Sequence, residues 1–221
     1  DKGEKFSQSS FDEVLKNNVA SVVKKQLDVG IDFISDGEMS KISYGTYIKD
    51  RIDGFSGESE RRAPADLDDF PEYKEKIAKS GGTPTYTRPC CTNELKVKDE
   101  TSLLQDINNF KNSLDKLNHR HAFMNSASPG VINVFMPNKF YSSEDEYLDK
   151  LSNIMAKEYE LITKSDIQVQ LDCPDLALAR HMNFKNLSED EFIKRAELQI
   201  ECLNSALSNV DVEQTRMHIC W

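Results

Sequence analysis

The sequence predicts an α/β protein in which parallel strands alternate with helices, arranged as part of an eight-stranded (β/α)8, or TIM, barrel. Segments with the apolar periodicity of amphipathic helices alternate along the chain with short apolar runs of strand length. Polar residues with useful chemistry follow at least four of those runs, as at the carboxyl ends of strands in barrel enzymes. A glycine-rich phosphate loop follows none of them, which disfavours a dinucleotide-binding open sheet.

The first helix and strand lie near the start of the chain. Apolar side chains recur at steps of three and four through residues 11–28, which is the stripe of an amphipathic helix, and Gly30 can end that helix. Residues 31–34 form a short run that predicts a buried strand. The polar group at 36–38 follows at once, so we expect its side chains at the carboxyl end of the strand.

The same alternation continues along the rest of the chain. Further strands are predicted at residues 87–97, 121–124, 167–171 and 215–220, and further helices at residues 103–117, 144–162 and 189–207. A complete barrel has eight strands, so the five predicted strands make residues 1–221 a single, incomplete barrel domain. Residues 53–86 are too long and polar for an ordinary connection, and we expect them to run over the mouth of the barrel.

Composition narrows the class of partner. The chain has 221 residues and a formal net charge of −10, so we expect no nucleic acid and no membrane partner, because phosphate binding needs a concentrated positive surface. No run approaches the ~18 apolar residues that a membrane span requires. The five cysteines are odd in number and irregularly spaced, which favours a reducing, cytoplasmic location. We therefore expect small-molecule substrates.

The pair His218 and Cys220 indicates metal chemistry. Residues two apart in a strand face the same side, so the imidazole and the thiol are expected to project together into the barrel mouth. Zinc binds both types of donor and needs at least one more protein ligand. The alternative is that both side chains are simply packed in the interior.

Four stretches stand at the predicted strand ends: GIDFISDGE at 30–38, SPGVI at 128–132, LDCPDLA at 171–177 and MHICW at 217–221. In this order they resemble the strand-end motifs of the cobalamin-independent methionine synthase family, most closely its short, single-barrel members. The resemblance covers essentially the whole chain and implies that the chain supplies barrel strands two to six. Because the chain starts without a methionine and stops directly after a ligand-type run, we expect it to be a fragment.

The resemblance implies a zinc-dependent thiol methyltransferase. His218 and Cys220 match two zinc ligands of the family, whose other ligands, a glutamate and a second cysteine, lie on later strands. Zinc would hold the thiol of homocysteine as a thiolate, which attacks the methyl group on N5 of 5-methyltetrahydrofolate, a folate polyglutamate, in methionine biosynthesis. Glu38 and Asp172 match positions that bind the amino group of homocysteine. The fragment alone is expected to be inactive.

Physical reasoning from the residues supports the carboxylate pair. Two carboxylates at the ends of different strands can converge on one ammonium group and fix the amino acid so that only its thiol reaches the metal. Helix caps or solvated loop charges are the alternatives for Glu38 and Asp172, and Asp36 is expected to hold the turn at Gly37.

Weaker candidates stand beside these. Ser128 belongs to the second motif, His181 lies just after the third and faces the same end, and Phe135 could stack on a flat pterin. Packing is the alternative reading for His181 and Phe135. Structural positions are expected for five other residues with reactive side chains: Cys90, Cys91, His119, His121 and Cys202.

Two departures leave the substrates open. The chain reads Asp172-Cys173-Pro174 where full-length methionine synthases have Asp-Glu-Pro, and residues 92–94 lack the glycine that many short relatives carry. One alternative is a zinc enzyme like the epoxide:coenzyme M transferase, for which the carboxylates have no ammonium to bind. A second is a zinc-free barrel resembling uroporphyrinogen decarboxylase. A third is a barrel that binds a folate or thiol without turning it over.

Overall fold

A computed structural model describes residues 7–59, 65–80, 88–114 and 121–220. They form the strands β1 (Phe33–Ser35), β2 (Ile52–Ser56), β3 (Cys90–Val97), β4 (His121–Ala127), β5 (Gln168–Asp172) and β6 (Thr215–His218). The helices are α1 (Gln8–Asp28), α2 (Ile48–Arg51), α3 (Pro71–Ser80), α4 (Thr101–Leu114), α5 (Pro129–Phe135), α6 (Glu144–Thr163), α7 (Ala179–Met182) and α8 (Glu189–Ala206). Among these helices, none has the length and apolar character to cross a membrane.

The centre of the fold is a four-stranded sheet with the order β1-β4-β5-β6. All three pairs of neighbouring strands are parallel. Helices α5 and α6 connect β4 to β5, and α7 and α8 connect β5 to β6, as parallel neighbours require because a tight turn cannot join them. The predicted α/β class, with parallel strands alternating with helices, is confirmed. Over the described residues the sheet is open and forms part of a barrel.

The side of this sheet that faces the helices forms the core. Ile34, Met124, Val169 and Leu171 alternate with part-exposed or polar residues along their strands and are at most 2% exposed. They join one cluster with buried residues of α6, where the hydroxyl of Tyr159 also donates to the carbonyl of Ala127 at 2.7 Å. Burying an apolar side chain of this size stabilises the fold by about 1.5–3 kcal/mol.

Serine caps fix where the two long helices after β4 begin. The hydroxyl of Ser143 accepts from the Glu146 amide at 3.1 Å, and Ser188 forms a reciprocal capping box with Glu191. Each such cap is worth about 1 kcal/mol, since it satisfies amides that have no partner inside the helix. Helices α6 and α8 therefore begin at the residues predicted from the sequence.

The place predicted for residues 87–97 was wrong. Residues 90–97 do form a strand, but β3 pairs antiparallel with β2 in a separate two-stranded sheet. Its middle residues, Thr92, Asn93 and Glu94, are exposed. A strand of a parallel barrel is covered on both faces, so a strand with this run of polar residues cannot occupy such a position. Four strands of the described chain, and not five, form the parallel sheet.

The long polar segment 53–86 is more structured than predicted. It contributes most of β2, a 3-10 turn at Ala65–Asp69 and helix α3. Its position over the barrel mouth stays a prediction. Residues 60–64, 81–87, 115–120 and Trp221 lie outside the described residues. Residues 115–120 include His119 and the end of the helix predicted at 103–117.

Candidate active site

Asp172 and His218 meet at the carboxyl ends of two neighbouring strands. They are register partners at the ends of β5 and β6. Nδ1 of His218 lies 3.1 Å from Oδ1 of Asp172, which is hydrogen-bonding distance. The parallel sheet thus brings together two residues that are 46 positions apart in the sequence.

Asp172 is a buried and firmly held carboxylate. Its side chain is 5% exposed, whereas that of His218 is 52% exposed. Nδ2 of Asn125 donates to Oδ2 of Asp172 at 3.1 Å, and Nε2 of Gln170 donates to Oδ1 at 3.3 Å. These amides come from β4 and from β5 itself, so the orientation of the carboxylate is set by the sheet.

Cys220 lies two residues beyond His218, after the end of β6, and is partly buried. Its carbonyl accepts from the Leu178 amide at 3.2 Å, which ties this end of the chain to the segment after β5. No group of three or more His, Cys, Asp or Glu side chains in the described ranges could hold a metal ion. One imidazole with a carboxylate partner, together with one thiol, fits part of a zinc site, because zinc takes three or four protein ligands.

Glu38 approaches from the end of β1 in a tight turn. Its amide donates to Oδ1 of Asp36 at 3.1 Å, and its backbone φ of 53° lies in the left-handed region. Gly37 before it also has a positive φ, of 68°, and an added Cβ would come within 3.0 Å of Val22. The turn therefore needs glycine at 37 and aims the Glu38 carboxyl towards the sheet ends.

The charge of Asp172 acts on Glu38. Burial raises the pKa of Glu38, and the negative charges of Asp172 and Asp36 raise it further, while Lys41 opposes them. Nζ of Lys41 lies 3.7 Å from Oε1 of Glu38, an atom that is buried without a hydrogen bond. The charges of two carboxylates, Asp172 and Asp36, thus act on Glu38 against that of one lysine, and a bound ammonium group would balance part of the negative charge.

Lys41 connects this turn to the sheet. Its side chain is only 3% exposed. Nζ donates to the carbonyl of Asn125 and lies 4.5 Å from the centre of the Tyr47 ring. Because the side chain of the same Asn125 holds Asp172, Lys41 links the positions of both carboxylates.

A buried ionic network lies next to the turn that carries Glu38. Arg51 donates to Oδ2 of Asp106 at 2.6 Å and to Oε2 of Glu158 at 2.9 Å. Glu158 also accepts from the hydroxyls of Tyr47 at 2.6 Å and Ser126 at 2.8 Å. Burial would raise the pKa of Glu158, but the positive charge of Arg51 and these hydrogen bonds outweigh it and hold that pKa below its usual value.

Ser128 has structural contacts at the start of α5. Its hydroxyl donates to Oδ1 of Asp175 at 2.8 Å and accepts from the Val131 amide at 3.0 Å. The residue is 1% exposed. Burial raises the pKa of Asp175 to about 6. A Cβ at Gly130 would lie 2.0 Å from Oδ2 of Asp175, so the motif needs a glycine there.

Phe135 lines a cavity of about 430 Å³. The guanidinium of Arg88 lies over its ring at 4.6 Å, and Tyr44 contacts the ring edge-on at 5.6 Å between centroids. Asn183 and Phe184 also line the cavity. His181 lies nearby in the sequence, on the short helix α7, and is partly buried.

Comparisons with known proteins bear on the family resemblance and on the fold. No family model matches the chain. It is 22% identical over 218 residues to a methionine synthase of Sulfolobus acidocaldarius, a match that covers 98% of this chain and 54% of that protein. The resemblance predicted from the sequence motifs is confirmed. The chain spans about half the length of this curated relative.

Solved structures show the same fold. A B12-independent methionine synthase from Shewanella sp. W3-18-1, in complex with selenomethionine, aligns with a TM-score of 0.71 at 16% identity over 98% of this chain and 54% of its own. A putative vitamin-B12 independent methionine synthase from Listeria monocytogenes aligns with a TM-score of 0.68 at 14% identity, over 100% of this chain and 58% of its own.

The structure brings some predicted site residues together and separates others. Glu38, Asp172 and His218 converge at one end of the sheet, whereas His121 lies at the other end, stacked on Phe33 at 4.5 Å. Lys41 was not predicted from the sequence. Its position three residues after Glu38 was the one sequence feature that suggested an ion pair between them. Buried lysines are rare, and apolar periodicity does not predict which lysine is buried.

Proposed function

We propose that the chain forms part of the catalytic barrel of a zinc-dependent methyltransferase, which moves a methyl group from 5-methyltetrahydrofolate to the thiol of homocysteine. The sequence match to a methionine synthase and the shared fold with B12-independent methionine synthases support this proposal. The relative bound to selenomethionine supports an amino acid with a sulfur-type side chain as the small-molecule ligand.

The observation that carries the proposal is the convergence of Glu38, Asp172 and His218 at one end of the parallel sheet. Two carboxylates near each other and a single partnering lysine favour a ligand with one positive charge. The ammonium group of an amino acid has that charge. Held at Asp172, the amino acid would lie beside His218, because Asp172 is hydrogen-bonded to that imidazole.

His218 and Cys220 would hold the zinc ion, with further ligands from outside the described residues. Zinc bound there would lower the pKa of the substrate thiol and keep it as a thiolate at neutral pH. The residues of this chain would orient the amino acid through Glu38 and Asp172, so that its sulfur points away from the carboxylates.

The cavity beside Phe135 is the proposed place of the methyl donor. Its volume of about 430 Å³ lies within the usual range for ligand pockets. Two aromatic rings, Phe135 and Phe184, line it together with the amides of Asn133 and Asn183. A flat pterin needs this mixture of apolar faces and amide groups. Stacking on the face of Phe135 that Arg88 covers requires the guanidinium to move away.

The test is the substitution His218→Ala in the full-length protein. We expect it to abolish both stoichiometric zinc binding and methyl transfer to homocysteine, measured by metal analysis and by methionine formation. His121→Ala is the matched control, since His121 lies at the opposite end of the sheet, and it should retain both. Zinc and activity retained in the His218 variant would contradict the proposal.

The same assay distinguishes the alternative activities. A thiol without an amino group, such as coenzyme M with an epoxide, should react poorly, because Glu38 and Asp172 have nothing to bind in it. A preference for coenzyme M would overturn the proposed substrate. A full-length protein that holds no zinc and transfers no methyl group would favour a decarboxylase-like barrel. Homocysteine binding without turnover would leave only a binding role.

A further inference from the structure

We propose that Asp172 is a positioning residue for His218, in addition to its place beside the substrate amino group. This inference rests on the proposed function, because it concerns how the protein prepares His218 to bind zinc. Asp172 would then both orient His218 and contact the amino group, whereas Glu38 would only contact the amino group. That difference makes the inference testable.

The geometry favours Asp172 as the fixed partner and His218 as the residue that it orients. Asp172 is nearly buried and receives donors from Asn125 at 3.1 Å and Gln170 at 3.3 Å, so its oxygens have little freedom. His218 is half exposed and lies on the outer strand of the described sheet. Its hydrogen bond to Oδ1 of Asp172, at 3.1 Å, is the side-chain hydrogen bond that the structure gives its ring.

The chemistry follows from which nitrogen carries the hydrogen. An ionised carboxylate can only accept, so Nδ1 of His218 must donate, and the neutral ring then keeps its lone pair on Nε2. A lone pair is what a metal ion needs. Histidine ligands commonly give their other N–H to a carboxylate, which fixes the ring and makes it a better ligand. We therefore assign Nε2 of His218 as the zinc-binding atom.

Glu38 provides the matched comparison. It shares the carboxylate chemistry and lies near Asp172, but its structural contacts are with Asp36 and Lys41. Asp172→Asn keeps the size of the side chain and removes its charge. The new amide N–H would face one of the three donors that Asp172 now accepts from, which are on Asn125, Gln170 and His218. Glu38→Gln removes a charge from the same site without changing the acceptor of His218.

The experiment measures zinc affinity in the full-length protein by competition with a chromophoric chelator, using zinc alone and no substrate. We expect Asp172→Asn to weaken zinc binding by roughly 10- to 100-fold, the usual effect of losing such a partner. Glu38→Gln should stay within about twofold of the wild type while weakening the binding of methionine. Equal zinc affinity in Asp172→Asn and wild type would overturn the inference, as would an equal loss in both variants.

A second measurement covers the case in which Asp172→Asn fails to fold. In metal-free wild-type protein, two-bond proton–nitrogen NMR spectra of labelled histidine should show His218 with its hydrogen on Nδ1. A hydrogen on Nε2 would overturn the inference. If the wild type bound no zinc, the proposed function itself would fail. A zinc-binding wild type with the wrong tautomer would sink only the role of Asp172.

Discussion

At the scale of single residues, Asp175 shows how burial changes a side chain that the sequence presents as an ordinary acid. It is 2% exposed, and its hydrogen-bond partner is the hydroxyl of Ser128. Burial is the first cause of its raised pKa, which moves from 3.8 to about 6, and the hydrogen bond with Ser128 opposes that shift only partly. The folded protein therefore holds a proton on Asp175 more tightly than the unfolded chain does.

The consequence is a stability that falls as the pH rises. Between about pH 4 and pH 6 the folded state binds more protons at Asp175 than the unfolded state does. The free energy of unfolding that Asp175 contributes therefore decreases as the pH rises through this window. A shift of two pKa units corresponds to roughly 3 kcal/mol at most. Asp175→Asn removes the titration and keeps an oxygen that can accept from Ser128.

Urea unfolding of both proteins at pH 4.5, 5.5, 6.5 and 7.5 tests this. The free energy of unfolding of Asp175→Asn, relative to wild type, should increase up to about pH 6 and then stay level. Subtracting the two curves cancels the titration of other groups, such as Glu38 and Asp106, whose pKa values are also raised. A difference that does not change with pH would contradict the role assigned to Asp175.

At the scale of elements, the network around Arg51 joins α2, α4 and α6 through Asp106 and Glu158. All three side chains are less than 10% exposed. A buried charge that loses its partner costs far more than a surface pair, because water cannot replace the lost interaction. The network joins the turn to the sheet, because Ser40, between Glu38 and Lys41, donates to Asp106 at 2.8 Å and Ser126 of β4 donates to Glu158 at 2.8 Å.

We expect Glu158→Gln to lower the free energy of unfolding by roughly 2–4 kcal/mol, somewhat less than a buried charge left alone, because Asp106 still pairs with Arg51. The amide would also present N–H groups towards the guanidinium. Asp28→Asn is the control: it breaks the exposed Lys24–Asp28 pair and should change stability by less than about 1 kcal/mol. Chemical denaturation measures both, and equal effects would refute the structural role of the network.

The elements also show how far sequence patterns reach. Apolar periodicity located α1, α6 and α8, and the motifs placed Glu38, Asp172 and His218 at strand ends, because both depend on local spacing. Strand β3 was assigned to the wrong sheet, since an extended run does not reveal its partner. The contacts of Lys41, Arg51 and Glu158 were not predicted for a related reason: buried charges depend on partners up to 111 residues away.

At the scale of the whole molecule, the parallel sheet of the described residues has two outer strands, β1 and β6. The outer side of β1 is partly covered, because the side chain of Gln26 exchanges two hydrogen bonds with the backbone of Ser35, at 2.8 and 3.0 Å. Strand β6 has no such cover among the described residues, so it is the edge with backbone groups left for pairing. Large apolar side chains are exposed beside these strands: Ile31, Phe33, Met217 and Ile219 are 44%, 44%, 49% and 53% exposed. Free strand edges with apolar side chains pair readily with other chains.

We therefore expect the 221-residue chain, produced by itself, to associate or to be poorly soluble. Sedimentation velocity at several concentrations measures this, and a monodisperse monomer with a cooperative thermal transition would contradict it. Met217→Lys is a matched variant, because a lysine on an outer strand opposes edge pairing without removing a buried contact. It should shift the chain towards monomer at equal thermal stability. The same shift from Val14→Lys, which places a lysine at an exposed apolar position of α1, would show that association does not run through the strand edge.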